Sequence, residues 1–238
     1  MKAFLERIGE GEILVADGAI GSLLFTMGLE PGGCPESVNI ERPELLEEIA
    51  RQYLEAGSQI IQTNTFGGSG LKLSAYGLGD RTHEINRAAV RAVRTAVGDH
   101  AYIYGSCGPT GRTLKPYGDT EPEEVYESFR LQLEAILAEG VDLLGIETMT
   151  DLTEATLAIM AARSLSKTIP IMATMTFDPT PRGFFTIMGS DVASVASGLE
   201  EADADLVGSN CGNGSETMVA IAKQFKPVSY THLRAHET

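Results

Sequence analysis

The sequence predicts an α/β protein with a (β/α)₈ TIM-barrel architecture, and three observations support this prediction. Short, continuous apolar runs alternate with longer amphipathic segments, as expected when parallel strands are covered by helices. A polar or glycine-rich motif follows each apolar run, and a barrel gathers its active site at these C-terminal strand ends. No GxGxxG follows the first run, which disfavours the alternative of a doubly wound, dinucleotide-binding sheet.

Six strands and the helices between them follow from the apolar pattern. The predicted strands are ILVADG (13–18), QIIQTNT (59–65), YIYGSCG (102–108), DLLGIETM (142–149), PIMATMTF (170–177) and DLVGSNC (205–211). Helical stripes are formed by Leu45, Ile49 and Tyr53, by Ile85, Ala89 and Val93, and by Val125, Phe129, Leu133 and Leu137. Thr120 and Glu123 form a capping-box pattern before the third stripe, and Gly57 and Gly140 are predicted to end their helices at C′.

Six βα units are fewer than the eight of a complete barrel. The chain has 238 residues, and such a barrel usually needs roughly 250 or more. We therefore expect residues 1–228 to form one barrel domain that is truncated after about six units. KPVSY (226–230) is a candidate seventh strand, whereas THLRAHET (231–238) has no apolar periodicity. Residues 229–238 are predicted to be a non-native tail, with a frayed native terminus as the alternative.

Composition and charge exclude several classes of partner. The chain is 43% hydrophobic and 21% charged, with a net charge of −15. Such a surface repels phosphate backbones and anionic lipid, so neither nucleic acid nor a membrane is expected as a partner. The N-terminus carries charges where a signal peptide needs an apolar run. Three widely spaced cysteines form no disulfide framework, which predicts a reducing, cytoplasmic location.

Cys211 is the most informative cysteine, because it lies in GSNCGNG (208–214) at the end of the last apolar run. A thiol there is well placed to be a metal ligand or a nucleophile. One cysteine does not make a zinc site, which usually takes three or four protein ligands. A covalent nucleophile would need a nearby base, and no histidine is well placed. Cys107 and Cys34 are more typical of small buried apolar groups.

Two carboxylates and one polar turn are further candidates. Glu147 follows the apolar run DLLGI and is predicted to face the barrel mouth, where a carboxylate is costly unless paired. A substrate ammonium or an internal Lys or Arg would satisfy it. Asp17 in DGAIG would accept a hydrogen bond from a substrate ammonium or cap a turn. TNTF (63–66) would line a polar pocket or form a turn.

Taken in order, the motifs DGAIG, TNTF, CGPTG, ETM, MTFDPTPRGFF and GSNCGNG resemble the homocysteine S-methyltransferase family. The likeness is strongest to the homocysteine-binding barrel of cobalamin-dependent methionine synthase, with betaine–homocysteine methyltransferase a more distant relative. It runs from about Ile13 to Val228. Each motif is weak by itself, and the ordered set is specific.

The resemblance implies a barrel in which zinc is held by three cysteines and activates the homocysteine thiol. Cys211 would be the first ligand, and the other two would be an adjacent pair in a GGCCG motif that this chain lacks. Asp17 and Glu147 would bind the substrate amino group, and Gly18 with the Thr65–Phe66 turn would enclose it. Methylcobalamin, carried by a separate corrinoid-binding module, is the favoured methyl donor, with betaine and S-methylmethionine as alternatives.

Without the cysteine pair, the resemblance implies an impaired zinc-dependent homocysteine methyltransferase. The alternative is a non-catalytic truncated barrel with residual amino-acid binding or no stable function.

Overall fold

The computed structural model describes residues 1–226 and 235–236. The α-helices are α1 (Phe4–Gly9), α2 (Gly21–Thr26), α3 (Val38–Glu41), α4 (Pro43–Glu55), α5 (Gly70–Ser74), α6 (Thr82–Val97), α7 (Pro122–Ala138), α8 (Leu152–Leu165), α9 (Val192–Glu201) and α10 (Ser215–Phe225). Short 3₁₀ helices span Pro35–Ser37 and Gly79–Arg81. The strands are β1 (Ile60–Gln62), β2 (Tyr102–Cys107), β3 (Leu143–Met149), β4 (Ile171–Met175), β5 (Asp178–Thr180), β6 (Gly183–Phe185), β7 (Leu206–Asn210) and β8 (Ala235–His236).

The main sheet is parallel, with the order β1-β2-β3-β4-β7-β8. Helices α6, α7, α8 and α9 lie in the connections between its successive strands from β1 to β7. Strands β5 and β6 form a separate antiparallel hairpin after β4. The predicted α/β fold with a parallel sheet is therefore confirmed.

The predicted strands agree with the structure at five of six positions, where β1, β2, β3, β4 and β7 form. The predicted first strand (13–18) forms only an isolated parallel bridge between Ala16 and Ile60. In the described part of the chain this segment pairs on one side only. Ile13 and Val15 are 92% and 56% exposed, whereas Leu14 and Ala16 pack against an apolar cluster, so the segment is covered on one face and not on both.

Helix boundaries follow local chemistry, with one correction. Pro43 and Pro122 occupy the first turns of α4 and α7, where their missing N–H is harmless. Gly57 and Gly140 follow these helices with φ of 101° and 77°, as predicted for C′ glycines. The capping box predicted at Thr120 is wrong. The N-cap of α7 is Glu121, which makes no side-chain cap bond, and the Thr120 hydroxyl contacts Asp119 instead.

The two faces of the sheet carry different cores. The face towards helices α7 to α10 packs the largest apolar cluster, which includes Phe129, Ile146 and Val207. The opposite face carries a second cluster formed by Phe4, Ile60, Tyr102, Tyr104, Leu143, Met172 and Leu206. Because side chains alternate along a strand, Glu147 lies on the same face as Leu143, two positions beyond Gly145. Polar side chains thus follow the apolar layer of this inner face.

The predicted seventh strand and tail fall almost wholly outside the described residues. The part that is described, Ala235–His236, pairs in parallel with Ser209 and Asn210 of β7. Within residues 1–226 and 235–236, no helix is both long and apolar enough to cross a bilayer.

Candidate functional site

A cavity of about 290 Å³ lies at the C-terminal ends of β1, β3 and β7. Four of the predicted site residues line it, namely Gly18, Phe66, Glu147 and Cys211. The other lining residues come from the turn before α2, the first 3₁₀ helix and the same strand ends: Ala19, Ile20, Gly21, Ser22, Pro35, Glu36, Gln62, Thr63, Asn64, Thr148 and Asn210.

Two neutral side chains donate hydrogen bonds to Glu147 inside the cavity. Its side chain is 6% exposed. The Ser106 hydroxyl donates to Oε1, and Asn210 Nδ2 donates to Oε2 at 3.2 Å. The β3–β4 register shifts between Ile146 and Met149, so the strand is irregular where Glu147 projects.

Cys211 is half-buried, and its sulfur lies 3.6 Å from both Thr148 Oγ1 and Asn210 Nδ2. Burial raises the pKa of the Cys211 thiol, the Glu147 charge raises it further, and the Thr148 hydrogen bond opposes the rise. Burial also raises the pKa of Cys107 far above its usual value and that of Cys34 to about 11. Of these thiols, Cys211 lines the cavity, whereas Cys34 and Cys107 are buried and do not line it.

Asp17 and Thr65 lie beside the cavity without lining it. Asp17 is 4% exposed, and its Oδ2 accepts a hydrogen bond from the Gln62 backbone N–H at 2.8 Å. The Thr65 hydroxyl lies 2.7 Å from that of Thr63 and donates to the Ser106 carbonyl at 2.6 Å. Both side chains therefore fix the turns that present Gly18 and Phe66 to the cavity.

Phe66 is positioned by the glycine-rich loop after β2. Gly108 N–H donates to the Phe66 carbonyl at 2.9 Å, and a Cβ on Gly108 would lie 2.3 Å from the Phe66 ring. The loop is tied down by Glu154, whose Oε1 accepts from the backbone N–H and the hydroxyl of Thr110 at 2.8 and 2.6 Å. The close approach of ring and backbone explains the need for glycine at position 108.

Four lining residues with specific polar contacts were missed by the sequence reasoning. Glu36 Oε1 accepts from the Gly67 N–H at 2.6 Å, and Gln62 Nε2 donates to the Gly18 carbonyl. Asn210 and Thr148 contact each other beside Cys211. Asn210 adjoins Cys211 in GSNCGNG, and Thr148 adjoins Glu147 in GIETM, so these two motifs could have indicated them. Glu36 lies in a 3₁₀ helix away from any strand end, and no sequence signal marks it.

The zinc ion implied by the resemblance needs more ligands than the described residues bring together. Within residues 1–226 and 235–236, no three His, Cys, Asp or Glu side chains are grouped to hold a metal. Around Cys211, the contacting atoms are the neutral hydroxyl of Thr148 and amide of Asn210. The described residues do not fit a complete zinc site by themselves.

Comparison with known proteins identifies the relatives of this chain. Residues 14–236 match the homocysteine S-methyltransferase family. The chain is 32% identical over 232 residues to methionine synthase of Mycobacterium leprae, covering 90% of this chain and 19% of that protein. It is 31% identical to betaine–homocysteine S-methyltransferase 1 of Sus scrofa, covering 88% and 74%. The chain thus spans about a fifth of the length of the mycobacterial methionine synthases.

A solved structure shares the fold. The metallated form of the homocysteine methyltransferase MmuM from Escherichia coli superposes with a TM-score of 0.79 at 21% identity, covering 94% of this chain and 82% of that one. The predicted fold class and the family resemblance are both confirmed.

Proposed function

We propose that this chain, which belongs to the homocysteine S-methyltransferase family, binds L-homocysteine in the cavity for methyl transfer to its sulfur, giving methionine. The observation that carries the proposal is that Glu147 and Cys211 line one cavity and contact the same Asn210 amide. A carboxylate suits the ammonium at one end of the amino acid, and a metal held by Cys211 would suit the thiol at the other end.

The charge of the cavity supports binding of an ammonium group. Glu36 and Glu147 are its acidic lining residues, Asp17 lies just beneath, and none of the described lining residues is Lys, Arg or His. We assign the ammonium to Glu147, with Asp17 adding negative charge from below. Gly18 and the Thr65–Phe66 turn would enclose the amino acid. A charge-assisted hydrogen bond of this kind is worth about 1.5–3 kcal/mol.

Zinc dependence is a further part of the proposal. Cys211 would supply one thiolate ligand, and the remaining ligands would come from outside the described residues. The choice of methyl donor rests on the relatives. The likeness to methionine synthase favours methylcobalamin delivered by a separate corrinoid-binding module, with betaine and S-methylmethionine as alternatives. A cytoplasmic location is proposed from the free thiols at Cys34, Cys107 and Cys211.

Calorimetric titration of the chain with L-homocysteine tests the ammonium assignment. Glu147→Gln keeps the shape and removes the charge, so the affinity should fall roughly ten- to a hundredfold. Asp142→Asn is the control, because the Asp142 carboxylate accepts from the Ile103 N–H at 2.7 Å just before β3 begins, at the opposite end of the strand from the cavity. It should leave the affinity unchanged.

A substrate analogue sharpens the result. 4-Mercaptobutanoate lacks the ammonium, so wild type and Glu147→Gln should bind it alike. The assignment of Glu147 is wrong if Glu147→Gln binds homocysteine within twofold of wild type.

Equilibrium dialysis with Zn²⁺ tests the role of Cys211. We expect weak zinc binding by the chain, because the described residues offer one thiol on the cavity and zinc affinity depends on the full ligand set. Cys211→Ser should reduce this binding, whereas Glu147→Gln should not. Tight, stoichiometric zinc retained by Cys211→Ser would show that the metal is held elsewhere.

A further inference from the structure

Two residues at the cavity have backbone conformations that their side chains disfavour. Thr148 has φ of 58° and Cys211 has φ of 60°. A left-handed conformation is uncommon for any residue with a Cβ and is an outlier for a β-branched one. Such conformations persist only where surrounding contacts hold them, and they cluster at functional sites. The contacts that hold Thr148 and Cys211 therefore bear on function.

The Asn210 side chain supplies those contacts. It is 2% exposed. Its Oδ1 accepts from the Thr148 backbone N–H at 3.0 Å and from the Thr174 hydroxyl at 2.9 Å. Its Nδ2 donates to Thr148 Oγ1 at 2.9 Å, so Asn210 grips both the backbone and the side chain of Thr148. The same Nδ2 lies 3.2 Å from Glu147 Oε2 and 3.6 Å from Cys211 Sγ.

The number of available hydrogens determines which group donates to which in this cluster. Nδ2 carries two hydrogens and faces three acceptors, so it cannot donate to all of them at once. With one N–H on Glu147 and the other on Thr148, the Thr148 hydroxyl accepts from Asn210 and is left to donate to Cys211 Sγ, 3.6 Å away. A continuous network then runs from the Glu147 carboxylate through Asn210 and Thr148 to the Cys211 sulfur.

We propose that Asn210 and Thr148 are positioning residues that hold the Glu147 carboxylate and the Cys211 sulfur in one fixed arrangement. The Asn210 amide orients the carboxylate for the substrate ammonium, and the Thr148 hydroxyl fixes the direction of the sulfur through their contact at 3.6 Å. Glu147 and Cys211 are thereby coupled, and a substitution at Thr148 should alter the position of both side chains. The homocysteine half of this inference rests on the proposed function, whereas the sulfur half stands on the contacts alone.

A matched pair of substitutions at Thr148 tests the network in the full chain. Thr148→Val keeps the β-branched shape at the same φ and removes the hydroxyl, whereas Thr148→Ser keeps the hydroxyl. Two quantities are measured: the calorimetric affinity for L-homocysteine, and the rate of Cys211 alkylation by iodoacetamide at one pH, followed by peptide mass spectrometry. The other two thiols are buried, so the alkylation signal is assigned to Cys211 by its peptide.

Thr148→Val should change the rate of Cys211 alkylation by roughly threefold or more, because the sulfur loses the hydroxyl contact that fixes its direction. It should also weaken homocysteine binding by about threefold or more, because the amide that orients Glu147 loses its anchor. Thr148→Ser should restore both quantities to within about twofold of wild type, and urea denaturation of both variants separates this rescue from a change in general stability.

Thr176→Val is the control for the neighbourhood. The Thr176 hydroxyl donates to the backbone carbonyl of Asn210 at 3.1 Å and lies outside the network. This variant should leave both quantities unchanged. The proposal is overturned if Thr148→Val leaves the alkylation rate within twofold of wild type, or if it moves the rate and not the affinity. If the wild-type chain binds no homocysteine, the proposed function fails, and the alkylation rates with their serine rescue decide the network.

Discussion

Substitution of Gly145 by alanine is the most severe single-methyl change that the inner face of the sheet offers. The Tyr104 ring lies across Gly145, and a Cβ there would be 1.7 Å from both Cζ and Oη of Tyr104. Contacts below 3.0 Å require one partner to move. Tyr104 is 1% exposed and packs within the inner apolar cluster. Gly145 is paired on both sides, with Ser106 of β2 and Met172 of β4.

The expected loss of stability in Gly145→Ala follows from the lack of space around the added methyl group. Gly145 lies in the middle of a strand with a backbone that alanine also adopts, so the penalty comes from overlap and not from φ. Overpacking a dense core typically destabilises by about 1–3 kcal/mol, and we expect about 3 kcal/mol here because neither the ring nor the strand is free to shift. Tyr104→Leu removes the overlapping ring atoms, so the two substitutions should be less destabilising together than the sum of each alone.

Urea denaturation of the chain measures this effect. The matched control is Gly9→Ala at the end of α1, where an added Cβ has no neighbour within 4 Å. That control should be neutral or slightly stabilising, by up to about 1 kcal/mol. The reasoning is refuted if Gly145→Ala unfolds at the same urea concentration as Gly9→Ala.

Two further predictions concern the loop after β2. Gly108→Ala brings a Cβ within 2.3 Å of the Phe66 ring, but this ring is 38% exposed and can turn, so stability should fall by only about 1 kcal/mol. Calorimetry should instead show altered homocysteine affinity, because Phe66 lines the cavity, and an unchanged affinity would contradict this. Burial raises the pKa of Glu154, against the hydrogen bonds from Thr110, so its contribution to stability is present below the ordinary carboxyl pKa and is lost as the pH rises through the raised folded value. Glu154→Gln should therefore gain stability relative to wild type as the pH rises above the ordinary carboxyl pKa of about 4.5 in urea titrations, and a constant difference would contradict the assignment.

The strands that sequence reasoning found are those whose apolar runs are buried on both faces. In β3, Leu143, Leu144 and Ile146 are fully buried, and their continuous apolar pattern needs no knowledge of tertiary contacts. The β5–β6 hairpin gave no such signal, because its strands have three residues each and lie at the surface. The first predicted strand has the right composition, but it lacks a second strand neighbour in the described part of the chain.

Part of the candidate site could be predicted from the sequence, because parallel strands bring their C-terminal ends to one edge of the sheet. This rule alone gathers Phe66, Glu147 and Cys211 at one cavity. It does not say which side chain of a motif points into the cavity. In the TNTF motif the Thr65 hydroxyl turns to the Ser106 carbonyl, whereas Phe66 faces the cavity. Glu36 reaches the cavity through a tertiary contact with Gly67, which no local pattern encodes.

The chain departs from regular strand geometry at Thr148, where the apolar pattern no longer predicts its course. Within β3 the period of two places Leu143, Gly145 and Glu147 on one face, and this period ends at Thr148, where φ becomes positive. A positive φ is unfavourable for threonine, so the sequence of β3 alone predicts that the extended strand continues through Thr148. Asn210, 62 residues later, stabilises it through two hydrogen bonds. The chain can deviate at Thr148 because a distant amide compensates, and the deviation brings the Thr148 hydroxyl to Cys211. The conformation of the site therefore depends on the ends of β3 and β7 together, and neither strand determines it alone.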